Sequence, residues 1–239
     1  MSRTSAVARA SVLSCKFILP ALTLLGAVAC GGASAGTTVG NGGTALPVGN
    51  PALASLTDDG TFQGTVLSLK YVSYMREDGK PVLSKEQAVH VVKQVNGLYE
   101  RCGIRFRLEE YVEAESSRYG LPFNVNSVSS MDSIRTPFAS DRSLVVVNTG
   151  DWDQSRMGSA NAWTAMPGEH PLGAVLESVV ADNANIAAHE LGHYLGLDHV
   201  SDSLNLMNPI IYGNSIQLTE SQCEGMRATA QSVHTAALR

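Results

Sequence analysis

Apolar positions in residues 84–102 recur every three or four places, at Ala88, Val91, Val92, Val95, Leu98 and Cys102. That period puts them on one face of a helix. Ser84 and Gln87 form a capping box, Leu83 and Ala88 a hydrophobic staple, and Gly103 ends the element. His90 falls off the stripe and reads as solvated. A second stripe, Cys223, Met226, Ala230, Val233 and Ala237, follows a capping box of Thr219 and Gln222 stapled by Leu218 and Cys223. Strand patterns stand between them. Residues 61–73 are rich in β-formers, 104–111 alternate, and 143–148 are a continuous β-branched run fit for a strand buried on both faces. Residues 158–166 and 173–179 are shorter strand candidates, and 112–142 read as a long surface excursion. Asp182 or Asn183 is placed to cap a helix running to about Gly196. Interleaved strands and helices predict a mixed sheet with helices packed on it.

The first 29 residues stand outside this pattern. Arg3, Arg9 and Lys16 precede an apolar run over residues 17–29 with no acidic group. The run is too short for a span of about 20 residues and has the flanks of an export signal. The sites Ala27-Val28-Ala29 and Ala33-Ser34-Ala35 both fit ordinary cleavage. The segment ending at Cys30 also resembles a bacterial lipobox, with Ala27 where leucine is usual, in which case Cys30 is lipidated. Gly, Ala, Thr and Ser dominate residues 31–59, the composition of a flexible tether, which favours the anchored reading. The expected organisation is a signal peptide (1–29), a tether (30–59) and one catalytic domain (60–239). Export then gives a membrane-anchored lipoprotein or a secreted protein.

Loss of the signal takes the formal charge from −5 to −8, because three basic residues leave with it. An acidic domain disfavours nucleic acid and anionic lipid, so the membrane enters only through Cys30, and a monomer is expected. Cys102 and Cys223 are the cysteines of the folded part; each ends or begins a helix on its apolar face, and export predicts that they form a disulfide.

The chemistry concentrates in residues 189–199, HELGHYLGLDH. On a helix His189 and His193 project from one face and share one metal ion. Glu190 lies about 100° round the helix from His189, beside the ion rather than on it, where it can act as general base. Ala187, Leu191, Tyr194 and Leu195 take the opposite, core-facing side. Gly196 lets the chain turn so that His199 returns as third ligand, leaving a fourth position open.

H-E-x-x-H-x-x-G-x-x-H followed by Met207 resembles the metzincin zinc peptidases, and the segment Leu206-Met207-Asn208-Pro209 is most similar to their matrixin branch. The resemblance implies an α+β domain with a twisted, mixed five-stranded sheet, an active-site helix, a methionine turn at Met207 and a C-terminal helix. It implies one catalytic zinc on His189, His193 and His199, with Glu190 as the base of peptide-bond hydrolysis and protein or peptide substrates. Gly158, Ser159, Ala160, Asn161 and Ala162 resemble the edge strand that receives an extended peptide. Pro209, Ile210, Ile211 and Tyr212 resemble the wall of the pocket beyond the scissile bond. Histidines for a second, structural zinc are not apparent, calcium stays open although no motif indicates it, and no prodomain is expected. An exported zinc-containing binding protein without turnover is the alternative, which retention of Glu190 disfavours. A non-peptidase hydrolase is disfavoured by the methionine turn.

Overall fold

Five strands form one sheet in the order β2-β1-β3-β5-β4 in the computed structural model, which describes residues 49–239. The expected export signal (1–29), Cys30 and most of the expected tether lie outside the described residues. Strands β1 (Thr65–Tyr74), β2 (Ile104–Ala114), β3 (Leu144–Asn148) and β5 (Ala174–Leu176) run parallel, and β4 (Ala162–Thr164) closes the edge antiparallel to β5. This is the mixed five-stranded sheet of an α+β fold. Strand β3 is buried along its whole length, as its unbroken run of Leu and Val requires when it lies between β1 and β5.

Helix α1 (Pro51–Ala54) packs on β2; α2 (Lys85–Tyr99) packs on β2 and against a later helix, α5 (Ala184–Tyr194), which also covers β4 and β5. The two short helices α3 (Met131–Arg135) and α4 (Gln154–Met157) lie in the loops before and after β3, and α6 (Glu220–Ser232) follows α5. Both capping boxes are formed, at Ser84–Gln87 and Thr219–Gln222.

Several sequence expectations are corrected. On α2, Asn96 and Tyr99 are buried, whereas Leu98 only lies against the core. Asn96 is held inside by bonds to backbone groups of Thr57 and Phe106, and the Tyr99 hydroxyl donates to the Ala188 carbonyl at 2.7 Å, so both polar groups are satisfied. The excursion begins only after Ala114 and is not wholly superficial: Val125, Met131, Ile134 and Phe138 belong to the core. Helix α6 ends at Ser232, leaving Val233 exposed and Ala237 on a separate 3-10 turn. The tether expected to reach residue 59 is part of the fold from Asn50, whose amide bonds the Glu109 carbonyl; Leu53, Ala54, Thr57 and Asp58 are buried.

Cys102 and Cys223 are joined, with Cα atoms 4.8 Å apart across 121 residues of sequence. Among the described residues no helix is long and apolar enough to cross a membrane.

Candidate metal centre and cleft

Asn183 caps α5, its side chain accepting the amides of Asn185 and Ile186, and the helix ends at Tyr194 with Gly196 at φ 85° just beyond. That left-handed turn favours glycine. A Cβ there would also meet the Thr229 hydroxyl of α6 at 3.0 Å, so Gly196 serves the turn and the close approach together. The chain then comes back over the helix, and His199 joins His189 and His193.

The three Nε2 atoms lie 3.0, 3.1 and 3.2 Å from one another. Nδ1 of His189 faces the Leu206 carbonyl and Nδ1 of His193 the Leu197 carbonyl, both at 2.7 Å. A carbonyl can only accept, so each Nδ1 carries the proton and each Nε2 presents a bare lone pair. Bare lone pairs at 3.0 Å repel unless a cation lies between them. The separations approach the ~3.4 Å edge of a tetrahedron built on zinc–nitrogen bonds of about 2.0–2.1 Å. Burial pushes His189 down to about 4 and also lowers His193, keeping both neutral near pH 7 as metal binding requires. The donor set therefore fits a divalent ion of zinc's preferences, and it is the only such cluster among the described residues.

Met207 is fully buried, and a Cβ at Gly192 would meet its sulfur at 2.5 Å, so the methionine lies under the helix turn between His189 and His193. Its amide donates to the Asn205 side-chain oxygen and its carbonyl accepts the Val200 amide, which ties this turn to the segment bearing His199. Because Leu206 supplies the carbonyl for His189, the turn also orients a metal-facing imidazole.

Glu190 is buried beside the histidines, and the Thr164 hydroxyl donates to its Oε2. Burial raises its pKa to about 7, against the opposing pull of Thr164. Helix, metal cluster and β4 enclose a cleft of about 600 Å³ lined by residues that include Ser159, Ala160, Asn161, Ala162, Pro209, Ile210 and Ile211. Of the expected contact residues, Gly158 and Tyr212 stand outside this lining. Gly158 instead ends α4 at φ 63°, and Tyr212 faces solvent next to Asn185. Only residues 162–164 are strand; 158–161 form a turn leading into it, with Ser159 at φ 66°. Size alone does not select the cleft, because a recess of about 790 Å³ bordered by Glu86, Glu109, Glu110 and Glu113 lies away from the histidines.

Sequence reasoning missed Thr164, Ile186 and Trp163 as cleft residues and Glu177 as the anchor of the turn before β4. None belongs to a motif; each reaches its place through strand pairing or packing.

The family model described as Matrixin matches residues 77–229. No curated protein matches the chain. Among solved structures, a Tannerella forsythia promirolysin mutant is 12% identical with a TM-score of 0.54, covering 75% of this chain and 85% of that one. At that identity the likeness concerns the fold. A structure of metalloproteinase-II from Bacteroides fragilis is 17% identical with a TM-score of 0.47, over 68% of this chain and 53% of that one. A chaperone–substrate complex gives 14% and 0.48, over 73% and 35%. The chain thus spans about half and about a third of the latter two.

Proposed function

The chain belongs to the matrixin family of zinc metallopeptidases, and on that premise we propose that it is an exported endopeptidase that cleaves extended peptide segments with Glu190 as its base. The observation that carries the reading is a buried carboxylate placed beside three converging imidazole nitrogens in an open cleft. His189, His193 and His199 would hold one zinc. When bound, zinc supplies a Lewis acid that polarises a carbonyl and lets a water lose its proton near neutral pH.

The chain's own groups do the rest. Glu190 takes the proton of the attacking water on its free Oε1, since Oε2 is engaged by Thr164, and returns it to the departing amine. A pKa near 7 suits a group that must accept and then donate at that pH. Strand β4 pairs with β5 on one side only, so its other edge offers free amide and carbonyl groups to a peptide strand. Ala160 and Ala162 keep the approach to that edge low, while Pro209, Ile210 and Ile211 form an apolar wall opposite. Such a cleft suits an apolar side chain next to the scissile bond.

Replacing Glu190 with Gln is expected to leave zinc bound while lowering hydrolysis of a mixed peptide library at least about a hundredfold. Near-normal turnover of the metal-loaded variant would overturn the base assignment. A wild-type chain that binds zinc and peptide without cleaving would support the binding-protein reading instead.

Export, with lipidation at Cys30, is part of the same proposal. Cys30→Ser is expected to move the protein from the detergent phase to the aqueous phase in an exporting bacterial host. A mature wild type without acyl chains by intact mass would leave free secretion in its place.

A further inference from the structure

Glu177 follows β5 directly and is buried at 5% exposure. Its Oε1 accepts the Trp152 amide at 2.7 Å, and its Oε2 accepts Gln154 Nε2 at 2.9 Å and Asn161 Nδ2 at 2.5 Å. Its own amide donates to the Asn161 carbonyl at 2.8 Å. Gln154 extends the net by donating to the Ala160 carbonyl at 3.3 Å. All three donors to the carboxylate are neutral, so a buried charge is compensated by oriented dipoles alone.

Those donors come from one segment, residues 152–161, which leads from the end of β3 to the start of β4. A buried charge without a cation is costly, and a shared carboxylate fixes its donors more stringently than apolar packing would. What it fixes is the lip of the cleft: Ala160 and Asn161 line the cleft, and Ser159 beside them is held in the left-handed region at φ 66°, which a non-glycine residue adopts only when its surroundings impose it. Strand β4 is three residues long, too short to set its own register firmly.

We propose that Glu177 is the positioning residue of the peptide-receiving edge, a metal-free strut that holds residues 158–162 where an extended peptide can pair with them. This rests on the reading of β4 as the substrate edge. Glu177 touches neither substrate nor the histidine cluster; it acts through Asn161, Gln154 and the Trp152 amide.

The test uses the full exported chain. Glu177→Gln puts an amide donor among donors and should loosen the lip. In wild type and variant, zinc affinity is measured by chelator competition, and amide exchange is measured along residues 150–161 and along α5. Binding of a synthetic decapeptide cleaved by the wild type is measured in the Glu190→Gln background. Expected are zinc affinity within about twofold, lip amides exchanging at least about tenfold faster with α5 unchanged, and peptide Kd raised about tenfold, equivalent to ~1.4 kcal/mol. Unchanged lip exchange or unchanged peptide affinity overturns the proposal, and so does a zinc affinity that falls in step, because that marks general destabilisation. Should Glu177→Gln not fold, the double change Gln154→Ala and Asn161→Ala removes two donors and leaves the carboxylate, with the same expectations. If the wild type cleaves no peptide, the endopeptidase reading fails by itself; accelerated lip exchange at constant zinc affinity then still supports the strut, and unaltered exchange refutes it.

Discussion

Thr164 shows how one hydroxyl conditions the chemistry around it. It donates to Oε2 of Glu190, a carboxylate that burial has made reluctant to ionise. A hydrogen bond to a charged group contributes about 1.5–3 kcal/mol, and this one favours the ionised form that the proposed base role requires. Thr164→Val keeps the shape and removes the donor, so kcat is expected to fall about tenfold. Thr164→Ser should restore it to within about twofold, since the hydroxyl returns. Steady-state kinetics on the zinc-loaded variants decides this, and a valine variant with normal kcat would remove Thr164 from the argument. Gly192 makes the complementary point about space: with a side chain there, the Met207 sulfur could not lie against the helix between two imidazoles.

Among the elements, the pairing of β1 and β2 carries a buried charge that the sheet cannot leave bare. Glu109 on β2 is buried and accepts from Ser68, from Arg107 and, through both oxygens, from Arg239 at 2.8 Å. Burial would raise its pKa, but bonds from Arg239, Arg107 and Ser68 outweigh it and hold the carboxyl below its usual range. Its folded pKa is thus below the unfolded value of about 4.3. The stability it contributes is complete above that value and is lost as pH falls through the folded pKa. Arg239→Met is expected to cost about 2 kcal/mol at pH 7. The loss should shrink on acidification, since a protonated Glu109 no longer needs the cation. Urea unfolding at several pH values checks this, and a difference independent of pH would contradict it.

On the scale of the whole molecule, the Cys102–Cys223 bond ties the end of the α2 segment to α6 and encloses the histidine cluster and cleft within its 121-residue separation. Closing so long a loop removes much freedom from the unfolded chain, worth about 4–5 kcal/mol in the chain-entropy account. The double variant Cys102→Ala, Cys223→Ala is expected to lose about 2–5 kcal/mol of stability while keeping its zinc affinity once folded. Denaturant midpoints under non-reducing conditions measure the first, and an unchanged midpoint would show that the bridge contributes nothing.

Local order was legible wherever a short-range rule governs it. The two capping boxes, the helix bearing the histidines, the turn at Gly196 and the buried strand β3 all depend on neighbours a few residues apart, and their patterns are written at that spacing. The histidine cluster was legible for the same reason, since helix period and one glycine bring its members together. The disulfide could be anticipated because few cysteines were available and both sat on core-facing helix positions. Tertiary structure alone decided the rest. Residues 50–58 pack on β2, Tyr99 replaces Leu98 at the helix interface, and β4 shrinks to three residues with its approach held by a side chain from beyond β5. Thr164 meets Glu190 across 26 residues, and Glu177 meets Asn161 across 16. A contact between elements is selected by which faces pack together, a property of the folded sheet and helices that no short stretch of sequence encodes.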